Sequence, residues 1–331
     1  MIPRYVRRSN PCLFVVGCPR SGTTLLQRML DCHPQLAVAN DTHFIPAAIA
    51  GVTPRGDLPL TAEMVQRVRR FRTGGGYGFE RLGLPPGTLE RAAHDASTYP
   101  EFVSALYSAF ADLQGKPWAG EKTPDYTRCL SLLHSLFPDA KIVHLLRDGR
   151  DVTLALAEWG HDRWRTGRLR GPARSKIWRE SPVAASALWW EWHVTSARHT
   201  SVSLGSAYYE LRYEDLVREP EATLRQLVDF LELPFDARML SHHLERSPRA
   251  DDPLAGSSAW RPVTQGLRDW RTQMTVHDAE LVEALTRSLL RELGYKCAFR
   301  KISPPLKAEA KRYRKWWTRK LAQRESTQDA Q

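Results

Sequence analysis

The chain has 331 residues, of which 42% are hydrophobic and 26% charged, a balance that excludes a largely disordered protein. No stretch approaches the roughly 18 uninterrupted apolar residues of a membrane span, and the start (Met1, Ile2, Pro3, Arg4) leads into no cleavable apolar segment, so a cytoplasmic protein is expected. The formal net charge of +11 is concentrated at one end, since residues 299–331 hold ten Lys/Arg against three Asp/Glu, and the main body carries no signature of specific nucleic-acid binding.

Residues 11–17 form a short apolar run ending at Gly17, which reads as a buried parallel strand. Residues 23–32 follow with Leu25, Leu26, Met29 and Leu30 at helical spacing, and His33-Pro34 stops the helix. The segment Asn40-Asp41-Thr42-His43-Phe44 comes next, where the chain should return to the same sheet edge. From about 60 to 115 the pattern is mostly helical, broken at Gly74-Gly75-Gly76, and reads as an insertion near the substrate side. Short strands are expected at 118–122 and 208–213, and a second strand–helix pair at 141–147 and 151–159. Trp189, Trp190 and Trp192 crowd one predicted helix, where core packing is favoured over stacking on an acceptor. Two amphipathic helices follow at 221–231 and 278–293, the second closed by Gly294. Strands alternating with helices imply a three-layer α/β fold with a central parallel sheet. The expected organisation is a single catalytic domain over 1–298 and a basic tail over 299–331. In the tail Leu306, Ala310, Tyr313, Trp317 and Leu321 recur every three or four residues among Lys and Arg, giving an amphipathic basic helix. It is either a peripheral contact for acidic membrane or RNA, or a helix docked on its own domain.

Gly17-Cys18-Pro19-Arg20-Ser21-Gly22-Thr23-Thr24 has the spacing of a phosphate-binding loop between a strand and a helix. Glycines let successive N–H groups turn inward, and the helix N-terminus adds partial positive charge. Nucleotide-triphosphate loops carry Lys before the last Ser/Thr. Here Thr23 stands there, the cation is Arg20, and no clear Mg²⁺-holding acid follows the strand at 141–146. The five cysteines include no CxxC pair and the histidines no HExxH spacing, so no metal site is expected.

The segment Cys18 to Leu26 resembles the 5′-phosphosulfate loop of sulfotransferases that use 3′-phosphoadenosine 5′-phosphosulfate (PAPS), especially tyrosylprotein and bacterial members. Leu145-Leu146-Arg147-Asp148-Gly149-Arg150-Asp151-Val152 resembles the family's 3′-phosphate segment, and Glu121-Lys122-Thr123-Pro124-Asp125-Tyr126 a segment of heparan-type enzymes. Arg212-Tyr213-Glu214-Asp215-Leu216 resembles the region closing the nucleotide site. The similarity runs over roughly 11–296 in family order. It implies a sulfotransferase fold, PAPS as co-substrate, and in-line transfer of a sulfuryl group to a hydroxyl of a carbohydrate, tyrosine, lipid or small metabolite.

By that resemblance Asp41 falls where the family's proposed Glu base lies, one methylene shorter, and His43 matches a histidine of the heparan-type enzymes. Asp41 is the candidate base and His43 its partner or rival; an Asx-turn or cap and a packed histidine are the structural alternatives. Arg20 and Lys122 are candidates for charge on the leaving phosphate, with Thr23 and Thr24 as hydroxyl donors; a surface ion pair is the alternative for Lys122. Arg20, Ser21, Gly22, Thr23, Thr24, Arg147 and Tyr213 are the candidate cofactor-binding residues, Arg147 for the 3′-phosphate. Ala155 stands where the family usually has a phosphate-binding Ser, which implies weaker PAPS binding unless Arg150, Arg261 or Arg268 compensates. The stretch 257–270 is expected to be loop over the cofactor. Two other classes compete: an ATP-dependent P-loop kinase, and a catalytically weak nucleotide- or RNA-binding protein.

Overall fold

Five strands make one sheet in the order β2-β3-β1-β4-β5. They are β1 Leu13–Gly17, β2 Leu36–Asn40, β3 Trp118–Lys122, β4 Lys141–Leu146 and β5 Tyr208–Arg212. The pairs β1·β3, β1·β4 and β2·β3 are parallel. The computed structural model describes residues 9–53, 57–73, 76, 78–165, 176–245 and 261–328. Gly74, Gly75 and the 257–260 part of the expected cofactor loop lie outside the described residues, as does the start at 1–8.

The chain divides into two compact units. One comprises residues 1–17, 22–145 and 197–264; the other comprises 18–21, 146–196 and 265–331.

In the first unit the strand side chains alternate between two cores, as a pleated strand buried on both faces requires. Phe14 and Val16 of β1 join Ala37, Ala39, Ala119 and Ile142 against Phe44, Phe102, Leu106 and Leu133. Leu13 and Val15 join Leu36, Val38, Val143 and Leu145 against Leu26, Met29, Leu30, Leu224 and Leu227. Helices therefore cover both faces, which makes the three layers of the fold. The 60–115 region holds the helices Ala62–Arg70, Thr88–Asp95 and Tyr99–Leu113. The last starts with a capping box, in which Thr98 accepts from the Glu101 amide and the Glu101 side chain accepts from the Thr98 amide.

The β2 strand was not expected from sequence. Leu-Ala-Val-Ala-Asn carries two alanines and a terminal Asn, a weak strand pattern. It forms because all five of its residues register with β3, ending with Asn40 opposite Lys122. That pairing brings the next residue, Asp41, to the end of β3.

In the second unit Trp190 is fully buried with Val152, Leu156, Val194, Leu289 and Leu290. A side chain at Gly149 would meet the Trp190 ring at 2.6 Å, so the helix Gly149–Arg165 can start against it only at a glycine. Trp189 and Trp192 meet Trp317 edge-on at 6.1 and 6.0 Å, which is packing, as expected for this cluster. The C-terminal helix Pro304–Gln328 buries Leu306, Ala310, Tyr313 and Trp317 against Leu281, Val282 and Leu285. It is thus docked on its own unit, with Lys307, Lys311, Lys315 and Arg319 exposed. Among the described residues no helix is long and apolar enough to cross a membrane.

Candidate active site

The turn after β1 is built for close approach of backbone. A Cβ on Gly17 would lie 2.7 Å from the Leu145 carbonyl oxygen and 3.1 Å from Thr23 Cγ2. Gly22 has φ 98°, a left-handed conformation, and lies so close to the Tyr213 ring that a Cβ would sit 2.4 Å from Cδ2. Tyr213, expected at the end of a strand, is the first residue of the helix Tyr213–Arg218. The helix Thr23–Asp31 begins at Gly22 with no side-chain cap on its N-terminus. The partial positive charge of its start is therefore not offset by a capping side chain.

In the same unit the structure brings together Asp41, His43 and Lys122, three of the candidate residues. Lys122 is only 1% exposed, and its Nζ lies 2.9 Å from Asp41 Oδ2. It also donates to Thr24 Oγ1 at 3.3 Å. The surface-pair alternative for Lys122 is therefore excluded, and its partner is neither Glu121 nor Asp125. The Asp41 amide donates to the Lys122 carbonyl at 2.7 Å, extending the β2·β3 ladder by one bond. Asp41 and His43 both adopt left-handed backbone, with φ 55° and 58°. His43 Nε2 is 3.8 Å from Asp41 and its Nδ1 4.0 Å from Asp125. Burial lowers the His43 pKa, against the pull of those two carboxylates, so the ring is neutral at pH 7. A neutral imidazole and a carboxylate side by side can both accept a proton, and a buried ammonium next to them can balance negative charge.

One residue here escaped sequence reading. Glu121, 0% exposed, lies behind the turn and accepts hydrogen bonds from the Thr42 amide at 3.1 Å and the Thr42 hydroxyl at 2.9 Å. Tyr107 and Thr123 hydroxyls donate to it as well. In the sequence it looked like an ordinary charged neighbour of Lys122; only its position in a central strand, β3, could have hinted at burial.

In the second unit Arg147 is buried, and its Nη1 donates to the carbonyl of Arg20 at 3.3 Å. Arg20 itself is exposed, with φ 75°, and Ser21 is buried. The arginines proposed to compensate for Ala155 are committed elsewhere or exposed. Arg150 is 1% exposed and bonds Asp148 at 2.8 Å, Glu283 at 2.8 Å and the Lys296 carbonyl at 2.9 Å. Its guanidinium also stacks on Trp270 at 4.0 Å. Arg268 pairs with Glu158 at 2.6 Å, and Arg261 is exposed. Ala155 is buried, and so is Thr153.

A left-handed glycine turn into an uncapped helix start suits a phosphate group, and the chain belongs to the sulfotransferase family, whose model matches residues 11–237. Among relatives, nodulation protein NoeE of Sinorhizobium fredii is 27% identical over 92% of this chain and 73% of its own length. Protein-tyrosine sulfotransferase 1 of Danio rerio is 23% identical over 88% of this chain and 74% of its own. The solved sulfotransferase domain from the curacin biosynthetic pathway superposes with a TM-score of 0.55 at 20% identity, covering 87% of this chain and 99% of the domain. That likeness concerns the fold.

Proposed function

We propose that this chain transfers the sulfuryl group of PAPS to a hydroxyl oxygen, with Asp41 as the base. The observation that carries the proposal is the position of Lys122, buried between the Asp41 carboxylate and Thr24 of the helix that opens the phosphate loop. One side chain thereby links the group that would take the acceptor's proton to the group that would face the departing phosphate. The uncapped helix start and the glycine-only turn at Gly22 fit a phosphate-bearing donor.

PAPS supplies the sulfuryl group and departs as 3′-phosphoadenosine 5′-phosphate (PAP). Asp41 accepts the hydroxyl proton at a carboxylate oxygen as the new oxygen–sulfur bond forms. Lys122 and Arg20 balance the charge left on the phosphate when the old sulfur–oxygen bond breaks, and Thr23 and Thr24 donate hydroxyls to it. Arg20, Ser21, Gly22, Thr23 and Thr24 would hold the 5′ end, Arg147 the 3′-phosphate, and Tyr213 the nucleotide beside Gly22. His43, held neutral, stands second in line for the proton. The catalytic domain is read as 1–298, with the 299–331 helix as a docked accessory. The names of the tyrosine-modifying relatives support a tyrosine hydroxyl among the acceptors to be tried, beside carbohydrate, lipid and small metabolite. Contact of the basic helix with an acidic membrane would be purely electrostatic, because its apolar stripe is already covered.

The test is transfer of labelled sulfate from PAPS to a tyrosine peptide, an oligosaccharide and a simple phenol. Labelled ester should form on at least one of them, without added Mg²⁺, and Asp41→Ala should lower the rate by about 100-fold or more. Transfer that survives Asp41→Ala would remove Asp41 as the base. No ester on any acceptor, together with no binding of PAP, would overturn the whole reading.

A further inference from the structure

Asp41 and His43 flank Thr42, and both hold left-handed backbone, which costs a residue with a side chain more than ordinary conformations do. Two such residues in three persist only where the surroundings over-determine them. Phe44 and Ile45 follow directly, and the Ile45 amide donates to the Tyr126 hydroxyl at 3.3 Å while its carbonyl accepts from Tyr99 at 2.7 Å. The exit of the turn is therefore anchored. Its entry is anchored by the Asp41 amide on the Lys122 carbonyl. The middle is held by Glu121, through both the amide and the hydroxyl of Thr42.

Neighbouring residues of a strand point to opposite sides. Lys122 uses its side to reach the Asp41 carboxylate, and Glu121 uses the other to reach Thr42. Consecutive residues of β3 thus grip consecutive residues of the turn. Glu121 receives four donors in total, the Thr42 amide and hydroxyl and the hydroxyls of Thr123 and Tyr107. Tyr107 also lies 3.3 Å from the Thr42 hydroxyl, so three groups close a ring around it. Burial pushes the Glu121 carboxyl up, and these donors oppose the shift.

We propose that Glu121 is a positioning residue for sulfuryl transfer: by gripping Thr42 it fixes the Asp41–His43 turn and aims the Asp41 carboxylate at the acceptor hydroxyl. The role rests on Asp41 being the base, as proposed above. Glu121 touches neither Lys122 Nζ nor the Asp41 carboxylate and acts only through the turn.

Amide hydrogen exchange, labelled-sulfate transfer and PAP calorimetry together test it. Glu121→Met keeps the bulk and removes the acceptor. Exchange at the Thr42 amide should accelerate by about tenfold or more, while the Val38 amide, bonded to Asp31 at 2.9 Å, keeps its protection. Transfer should fall by about 100-fold, the scale of an ångström of misplacement, with PAP affinity unchanged. Glu121→Gln, which restores one acceptor oxygen, should recover part of both losses. On an Asp41→Ala background Glu121→Met should cost nothing further. Thr42→Val, which removes the hydroxyl and keeps the amide, should lower transfer in the same sense and serves if Glu121→Met does not fold. Full transfer by folded Glu121→Met or by Thr42→Val overturns the proposal, and so does an additive loss on the Asp41→Ala background. If the wild-type protein transfers no sulfate, the functional reading fails instead, and Thr42 exchange alone then decides for or against the grip.

Discussion

Replacing Gly22 by Ala tests the geometry of the phosphate loop without touching a charged group. The backbone there has φ 98°, and an L-residue in left-handed backbone costs about 1–2 kcal/mol. The new Cβ would stand 2.4 and 2.7 Å from Cδ2 and Cε2 of Tyr213, against the roughly 3.5–4.0 Å that carbon atoms prefer. The ring would have to retreat by more than an ångström, and overpacking of this kind costs about 1–3 kcal/mol. The sum is about 2–5 kcal/mol of stability, read from the urea midpoint at constant slope. In a Tyr213→Ala background the ring contact is gone, and Gly22→Ala should cost only the backbone share. The two substitutions should therefore be non-additive by about 1–3 kcal/mol. Equal cost in both backgrounds would show that the Tyr213 ring does not rest on Gly22, and the proposed role of Tyr213 at the nucleotide beside Gly22 would lose its basis.

Acid should weaken the first unit through its buried histidines. Burial lowers the pKa of His33, His43, His144 and His242, the last to about 4. A histidine whose folded pKa lies below its unfolded value contributes stability above pH 6.5 and loses it as the pH falls toward the folded value. Between pH 7 and 5 His242 alone should remove about 2 kcal/mol, and His242→Gln should flatten the urea-midpoint profile by that amount; an unchanged profile would contradict the shift. Glu283→Ala would leave Arg150, 1% exposed, with one carboxylate partner and would strip acceptors from the amides of Ala298 and Phe299. A loss of about 3–5 kcal/mol in thermal unfolding is expected. Trp317→Ala should cost a similar 3–5 kcal/mol, because the C-terminal helix is part of a packed core; a change below about 1 kcal/mol would mean that the helix is not docked.

Much of this site can be read from the sequence because its chemistry sits at ends of apolar strands. The run 13–17 into Gly17, and Gly22 followed by Thr23 and Thr24, announce a phosphate loop whether or not the fold is known. Asp41, His43 and Lys122 were legible as residue types, but their convergence depends on β2 pairing beside β3, and a strand of Leu-Ala-Val-Ala-Asn carries too little β-propensity to be seen alone. Glu121 was missed for a related reason. A lone Glu is normally exposed, and its burial follows from hydroxyls of Thr42, Thr123 and Tyr107 that lie up to 79 residues away in sequence. The partners of Arg150, offered by the sequence only as one possible compensation for Ala155, were equally hidden, because Glu283 lies 133 residues further on.

On the function proposed above, the Gly17–Thr24 loop and Arg147 serve a 3′-phosphorylated adenosine donor and not a metal-bound triphosphate. Isothermal calorimetry of PAP, AMP and Mg²⁺–ATP on the wild-type protein and on Arg147→Ala measures it directly. PAP should bind about 10- to 150-fold more tightly than AMP, the worth of one hydrogen bond to a charged group, and Arg147→Ala should erase the difference. Equal affinity for PAP and AMP, or tight binding of Mg²⁺–ATP alone, would contradict it.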